Sequence, residues 1–470
     1  MNYDVIVIGS GISGLTSALL FAKKGKKTAI FERAPLIAPL LSGFNRQGVH
    51  FDPGFHYSGA LGKDEVGGHM FRQLGLDIEA RQCEPQGYDL AYLEKSKRHF
   101  KIPSGWERLE QRLIDYFPEE SYGIKKYMSL AREEIAGIPF LNFHKRKYAA
   151  EEMFSFAGSG ATLLEVLDDC FKEEELKAIL SFGTVLYGVE PGNAPFTLHC
   201  CCNGIMYESV WKFKNGTQSL VKAYVKALKE NNIDVFTNKK AVKIEYDGKN
   251  KTVFFEDGSR AVCDICVSTV HPKEFVKMAP GGIYRQKTIE RINGLEETRS
   301  FFMLFAKPKE KLFDDEINNA GVLHQGDLKN GFKDFMYINM SGEKPNAVSA
   351  ALSVDSDEHL WDLPQDQYDK LKNDYAQKVK NRLNLYWPGI VDKLDFLDMA
   401  TPKTFKRWVD YYGAYGIKRK QDSVAVIPVT KIPGLFLIGQ STVAPGVVGA
   451  MISAFLLDKM MEWQTSKAVS

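Results

Sequence analysis

The sequence predicts an α/β fold in which a Rossmann-like nucleotide-binding domain is discontinuous along the chain and carries an inserted α+β domain. Three observations predict this fold. A strand, a glycine turn and a helix open the chain, a helix followed by short strands begins after residue 215, and an apolar, glycine-rich segment spans residues 433–461. Because nucleotide-binding α/β folds collect such pieces on one sheet, we expect the three stretches to form a single domain.

Composition excludes several classes of function. The 470 residues contain 61 Lys and Arg against 59 Asp and Glu, so no overall positive field would recruit nucleic acid. Seven cysteines occur without a repeating framework, which is typical of a reducing compartment. The chain opens as a strand and not as a basic region before an apolar signal, so a cytoplasmic protein is expected.

The first element is "YDVIVIGSGISGLTSALLFAKKGKKTAIFERA", which predicts a strand at 4–8, a helix at about 12–24 and a strand at 27–32. Gly9 permits a tight turn, Gly11 admits a pyrophosphate, and Gly14 lets helix and strand pack closely. Glu32, 18 residues after Gly14, can accept hydrogen bonds from ribose hydroxyls and disfavours a 2′-phosphate. The pattern therefore predicts bound FAD or NAD; the alternative is a structural glycine turn with an exposed glutamate.

The middle of the chain predicts that the nucleotide domain resumes. A helix at 218–230 precedes predicted strands at 234–236, 241–246, 252–256 and 261–269. The predicted nucleotide-binding domain accordingly comprises residues 1–75, 215–280 and 428–470. The predicted substrate domain comprises an α-rich stretch, 76–214, and residues 281–427, where the runs "RSFFMLFAK", "FMYINM" and "AVSAALSV" could form the floor of a pocket.

The apolar run at 435–457 is long enough to span a bilayer, but glycines, a proline and polar residues interrupt its first two-thirds. A lone membrane helix would leave the backbone groups freed by that sequence unsatisfied. We therefore predict a short buried strand, a loop and a buried helix, and treat a single-span anchor as the less favoured alternative.

Cysteine and histidine positions do not predict a metal site. Cys263 and Cys266 lie inside a strand pattern without a helix start to lower a thiol pKa, and no second pair completes a zinc site. The triplet 200–202 and His199 are interpreted as core packing residues.

Four segments together resemble a known family, the FAD-dependent carotenoid desaturases, carotenoid isomerases and retinol saturases, which are relatives of the amine oxidases. The segments are residues 9–32, "GVHFDPGFHYSG" at 48–59, "PFTLHCCCNGIMYESVWKFKNGTQSL" at 195–220, and residues 400–457. The second is similar to the Phe-Asp-x-Gly-x-His-Tyr-x-Gly stretch of the saturase branch. Departures include "APLIAPLLSG" where relatives have adjacent glycines, and Gln440 or Ser441 where relatives often have an acid.

The resemblance implies that the cofactor is FAD and that the last strand brings the chain under its isoalloxazine ring. The N-terminus of the final helix would then stabilise the anionic reduced flavin through its partial positive charge. The implied cofactor-binding residues are Gly9, Gly11, Ile12, Ser13, Gly14, Glu32, Arg33, Val242, Gly439, Gln440, Gly446, Val447 and Val448.

A saturase must also deliver a proton to carbon, and the candidate catalytic residues are His56, Tyr57 and Tyr415, with Tyr412 as an option. For His56 and Tyr57 the alternative is a structural hydrogen bond that holds the loop. The expected substrate is a long apolar molecule. The sequence does not identify it, the electron donor or acceptor, or the direction of the reaction.

Residues 137–156, which mix "IPFLNF" with "HKRKY", allow two interpretations. One is an apolar tunnel with a basic mouth in peripheral contact with a membrane, and the other is ordinary core beside a solvated charged face.

The leading hypothesis is an FAD oxidoreductase of carbon–carbon double bonds, most like retinol saturase. Desaturation or cis–trans isomerisation on the same scaffold is the alternative, and amine oxidation is less favoured. A different class is a flavin-free prenyl-binding protein similar to the Rab GDP-dissociation inhibitors. The intact glycines and Glu32 argue against that class.

Overall fold

A computed structural model describes residues 1–52, 54–148, 152–153, 160–313, 317–323, 328, 333, 335–341, 346–421 and 428–469. Within these residues the chain builds two large sheets and two short hairpin-like pairs. The strands are, in chain order, β1 Asn2–Ile8, β2 Thr28–Phe31, β3 Phe44–Arg46, β4 Val49–Phe51, β5 Ala80–Gln82, β6 Asp89–Leu93, β7 Arg98–Ile102, β8 Trp211–Phe213, β9 Asp234–Phe236, β10 Ala241–Tyr246, β11 Lys251–Phe255, β12 Arg260–Ser268, β13 Ser300–Pro308, β14 Asn319–Leu323, β15 Met336–Ser341, β16 Ala347–Val354, β17 Leu394–Ala400 and β18 Leu435–Leu437.

The helices contribute a further layer around both sheets. The α-helices are Ile12–Lys23, Pro39–Ser42, Val66–Leu74, Trp106–Tyr116, Ser121–Gly137, Pro139–Asn142, Leu163–Cys170, Glu174–Ser181, Phe196–His199, Ile205–Glu208, Thr217–Glu230, Pro272–Met278, Gln286–Asn293, Glu358–Trp361, Gln365–Tyr386, Pro402–Val409 and Gly446–Val469. Shorter helical turns are Pro118–Glu120, Phe182–Leu186, Cys200–Gly204 and Val391–Lys393.

The first sheet is assembled from the three separated stretches of the chain. Its parallel core runs β9-β2-β1-β12-β18, and β11 and β10 extend it in antiparallel fashion from the first half of β12. Ile8 pairs with Phe31 and Ser268, and Ser268 pairs with Leu437. The carboxyl ends of β1, β2, β12 and β18 therefore meet at one edge, where open α/β sheets bind their ligands.

The second sheet has the order β17-β13-β16-β15-β14-β6-β7 and joins the two inserted stretches. All its pairs are antiparallel except β14 with β6. Residues 76–214, predicted to be α-rich, also contain the strands β5 to β8. The predicted α/β fold with an α+β insertion is confirmed, whereas the exact domain boundaries stay a prediction.

The apolar segment near the chain end is buried by packing. The helix Gly446–Val469 shares a core cluster with the first helix, Ile12–Lys23, and Asp458 pairs with Lys24 at 2.7 Å. Ala450 to Leu457 are all at most 5% exposed, so this stretch is apolar on every side. Within the described part of the chain, none of the helices combines the length and the apolarity needed to cross a membrane.

Candidate active site

The glycine turn after β1 forms an open cradle. Gly9 has φ +100°, and a Cβ there would lie 2.3 Å from Thr269 Oγ1, so only glycine fits. A Cβ on Gly14 would lie 2.1 Å from the Gly9 carbonyl oxygen, which shows how closely helix and strand approach. A Cβ on Gly11 would meet no atom within 4 Å. The open side of the cradle therefore lies at Gly11, as expected for a phosphate site.

The helix that starts at this cradle has unsatisfied donors. Gly11 is its N-cap, no side chain caps the first turn, and the first turn contains no acid. Free N–H groups and the helix dipole at such an end favour an anion. Ile12 and Ser13, two predicted cofactor-binding residues, are buried in this first turn.

Glu32 lies at the end of β2 and is held rigidly. Its Oε2 accepts from the Ser10 N–H and hydroxyl, both at 2.8 Å, and its Oε1 accepts from the Ala34 N–H at 2.7 Å. A carboxylate can accept about four hydrogen bonds, so Oε1 retains capacity for a ribose hydroxyl. The cradle, the helix end and Glu32 thus fit the diphosphate and ribose of a dinucleotide.

The C-terminal segment reaches the same place. Ile438 N–H donates to the Ser268 carbonyl, and Gly439 has φ +126°. A Cβ on Gly439 would lie 3.7 Å from the Thr269 carbonyl oxygen and 3.9 Å from Ser13 Oγ. The two ends of the chain therefore meet at one edge of the sheet, with Gly439 beside Ser13 of the glycine cradle.

A cavity that opens to solvent lies at the start of the last helix, and its space not filled by protein atoms, open part included, is about 1080 Å³. The predicted residues Gly446, Val447 and Val448 form part of its wall, and so do the three candidate catalytic residues. Most of the other lining side chains are apolar, among them Phe182, Val185, Leu186, Ile205, Phe335 and Ile452.

His56 lines this cavity in a neutral form. Both ring nitrogens are hidden from solvent and have no hydrogen-bond partner among the described residues, although the residue as a whole is half-buried. Burial lowers the pKa of His56 to about 4, against an opposing effect of the Asp52 charge. At neutral pH the imidazole therefore carries a single N–H and no charge.

Tyr57 lines the cavity and donates a short hydrogen bond to the Asp89 carboxylate. Burial raises the pKa of Tyr57 well above its usual value, so it stays a phenol. Asp89 is 0% exposed and also accepts from the Asn319 N–H at 3.0 Å. Sequence reasoning missed Asp89 and Asn319, because a lone acid inside a strand pattern gives no local signal.

Tyr415 completes the set of predicted catalytic residues. Its hydroxyl makes no hydrogen bond to any described residue, and burial raises its pKa. It also lines a second, smaller space of about 360 Å³, which shares Val185 and Phe335 with the main cavity. Tyr412, the optional donor, is buried, and its hydroxyl accepts a hydrogen bond from Lys406 Nζ at 2.9 Å, so its role stays a prediction.

The remaining predicted cofactor-binding residues are placed as follows. Arg33 pairs with Asp410 through Nη1 and donates to the Arg407 carbonyl oxygen at 3.1 Å. Val242 is 42% exposed on the outer strand β10. Gln440 Nε2 donates to the Tyr411 hydroxyl at 2.7 Å. Their roles toward the cofactor stay predictions.

The core interpretation of the histidine and cysteines agrees with their surroundings. His199 is 0% exposed and contacts the hydroxyls of Tyr187 and Tyr207 at 3.0 and 3.4 Å. All seven cysteines are free thiols, and Cys201 and Cys202 additionally line the main cavity. No cluster of three or more metal-ligating side chains occurs among the described residues.

A dinucleotide cradle at a sheet edge, together with a largely apolar cavity at the start of the last helix, is typical of nucleotide-dependent oxidoreductases. The model of the family described as "Flavin containing amine oxidoreductase" matches residues 12–455, and the chain belongs to this family. It is therefore a flavin-dependent oxidoreductase, and its cofactor is FAD, as predicted.

Individual relatives cover most of the chain at low identity. The chain is 23% identical to the all-trans-retinol 13,14-reductase of Danio rerio over 96% of its own length and 85% of that protein. It is 22% identical to the 4,4′-diapophytoene desaturase of Staphylococcus haemolyticus over 77% of its length and 74% of that enzyme. The structure of putrescine oxidase bound to putrescine shares the fold, with a TM-score of 0.65, 14% identity, and coverage of 98% and 99% of the two chains.

Proposed function

We propose that this FAD-dependent enzyme acts on carbon–carbon double bonds of an apolar polyene or isoprenoid, in a reaction most similar to that of retinol saturase. One observation carries the proposal. The candidate proton donors and the N-terminus of the last helix line the same apolar cavity. The names of relatives that match most of the chain, an all-trans-retinol 13,14-reductase and a 4,4′-diapophytoene desaturase, support the same substrate class.

Cofactor and substrate would occupy adjoining parts of this site. Gly11 and the first turn of the Ile12–Lys23 helix would hold the diphosphate, and Glu32 the ribose. Gly446 to Val448 would approach the isoalloxazine ring with backbone groups. Bound FAD supplies hydride transfer, and the surrounding residues have to orient the substrate, exclude water and deliver a proton. The apolar lining suits the first two tasks.

The direction of the reaction separates the competing proposals. Saturation needs a proton donor at the cavity, and Tyr57 and His56 are candidates for it. Desaturation or isomerisation on the same scaffold is the alternative, and amine oxidation is less favoured because long apolar side chains dominate the cavity. Membership in a flavin family argues against a flavin-free prenyl-binding function.

A mass measurement tests the proposal. FAD-loaded protein reduced with dithionite without oxygen is expected to add two hydrogens to at least one member of a panel of all-trans polyenes, including retinol. The matched control is the same protein stripped of FAD. Loss of two hydrogens from a polyene, in an oxidised sample with an added quinone as electron acceptor, would favour desaturation. A shift in chromatographic retention at constant mass would favour isomerisation. A panel unchanged under all conditions would contradict the proposed substrate class.

We further propose peripheral membrane contact at the predicted basic mouth. Phe140 and Leu141 line the cavity, and Lys145, Arg146 and Lys147 follow them as exposed cations. Residues 149–151 and 154–156 of the predicted stretch lie outside the described residues. The affinity for anionic vesicles, measured by cosedimentation, should fall roughly 100-fold when all three cations become Gln, since each contributes about 1 kcal/mol near such a surface. Unchanged cosedimentation would exclude this contact.

A further inference from the structure

Asp89 is a buried carboxyl group that the proposed reaction has not yet used. It begins β6, is 0% exposed, and accepts hydrogen bonds from the Tyr57 hydroxyl and from Asn319. Burying an ionised carboxylate is costly unless charge and hydrogen bonds compensate it. An acid placed directly behind a cavity-lining tyrosine therefore calls for a functional explanation.

The surroundings hold Asp89 and Tyr57 in a fixed arrangement. β14 pairs with β6 so that Asn319 is opposite Asp89, and Asn319 Nδ2 lies 3.1 and 3.2 Å from the two carboxylate oxygens. Asn339 Nδ2 in turn donates to Asn319 Oδ1 at 2.7 Å. Tyr57 and Asn319 both line the cavity, so the network ends at the substrate space.

Opposing effects of burial and of its hydrogen bonds give Asp89 a pKa in the neutral range. Burial raises the pKa of Asp89 to about 7, although hydrogen bonds from Tyr57 and Asn319 and the charge of Lys212 oppose the rise. Lys212 Nζ itself donates to Asn318 Oδ1 at 2.9 Å. The titratable groups that interact electrostatically with Asp89 are Tyr57, Tyr88, Tyr337, Cys83 and Lys212.

We propose that Asp89 is the positioning residue for proton transfer from Tyr57 to the substrate. In its acid form Asp89 can donate to the Tyr57 oxygen, which leaves the proton of Tyr57 directed at the cavity. In its ionised form Asp89 accepts a hydrogen bond from the Tyr57 O–H group, which directs that proton away from the substrate. This inference rests on the proposed saturation reaction.

The proposed step balances in atoms and electrons. The Tyr57 O–H bond breaks as a C–H bond forms at one alkene carbon, while the electron pair reaches the other carbon as hydride from the reduced flavin. The Asp89 proton then moves to the Tyr57 oxygen and restores the phenol. One proton from solvent reprotonates the carboxylate, so the net change is one hydride and one proton added to the double bond.

The rate of saturation should depend on pH because only the acid form of Asp89 leaves the Tyr57 proton directed at the substrate. Saturation should be fastest below the Asp89 titration and should fall about tenfold per pH unit above it. Asp89→Asn keeps a donor to the Tyr57 oxygen but has no proton to release. This variant is expected to saturate polyenes at least about tenfold more slowly, with the pH dependence near neutrality removed.

Infrared spectroscopy of the FAD-loaded, substrate-free protein tests the interaction between Asp89 and Tyr57 without turnover. As the pH is raised, the infrared band of the protonated carboxyl group should disappear with a midpoint near pH 7. The band should be absent from Asp89→Asn. In the control Asp458→Asn, which alters a buried aspartate that pairs with Lys24, the band and its titration should persist. Tyr57→Phe should move the midpoint upward, because it removes a hydrogen bond that favours the ionised form. This second variant keeps the test decisive if Asp89→Asn fails to fold.

Two results would overturn the inference: no carboxyl titration between about pH 5 and 9 assigned to Asp89, or a wild-type pH profile of saturation in Asp89→Asn. Failure of the proposed function is distinguishable. In that case no polyene is reduced at any pH, whereas the infrared titration of Asp89 and its response to Tyr57→Phe are still observed.

Discussion

Gly11→Ala is expected to weaken FAD binding by about 5- to 150-fold, which corresponds to about 1–3 kcal/mol for an extra methyl group in a tightly packed site. A Cβ at this position meets no protein atom and projects into the open side of the cradle. Gly11 has φ −61°, which alanine adopts without strain. The FAD-free variant should therefore lose about 1 kcal/mol or less of unfolding free energy, through its N-cap position alone.

Titration of FAD into the FAD-free protein, followed by flavin fluorescence, measures this effect, and urea unfolding measures stability. Gly137→Ala is the matched control, because its Cβ is equally unobstructed but lies at the end of the helix Ser121–Gly137. Equal FAD affinity in the two variants would mean that the diphosphate does not rest on this cradle.

Tyr57→Phe is expected to reduce the rate of polyene saturation by about 10²- to 10⁴-fold, the usual contribution of a positioned general acid. Phenylalanine preserves the ring in the cavity wall and its edge contact with Tyr88, whose centroid lies 5.6 Å away. Substrate binding should therefore change little while the proton transfer is lost. Single-turnover kinetics of the reduced enzyme separate these two quantities.

His56→Gln provides the comparison, because the same cavity offers a second candidate donor. With its pKa lowered to about 4, the His56 imidazole is neutral at pH 7 and a weak acid. We expect a loss of less than about tenfold from this variant. A large loss in His56→Gln together with a normal rate in Tyr57→Phe would assign the proton to His56 instead.

Local sequence patterns were sufficient to predict the nucleotide cradle. The continuous apolar run of β1, the glycine spacing and the position of Glu32 all act within about thirty residues, and the Ser10–Glu32 contacts confirm that these residues lie together. The apolar C-terminal run was predicted to be buried for a similar reason, since its glycines and Pro445 are incompatible with a lone membrane helix.

The acid behind Tyr57 could not be predicted in this way. In "DLAYL" the residues at positions 90 and 92 are bulky and apolar, yet the fully buried face is formed by Asp89, Ala91 and Leu93. That face is decided by parallel pairing with β14, about 230 residues further along the chain. Arg33 is a similar case, because its partner Asp410 is 377 residues away and no local pattern connects them.

In the arrangement we propose, both ends of the chain hold one FAD whose ring faces the apolar cavity beside Tyr57. A crystal structure of the FAD-loaded protein with a bound polyene tests it most directly. We expect diphosphate density at Gly11, the isoalloxazine ring against Gly446 to Val448, and a polyene double bond with one carbon facing flavin N5 and the other facing the Tyr57 hydroxyl. An isoalloxazine ring outside this cavity, or a polyene bound elsewhere, would contradict it.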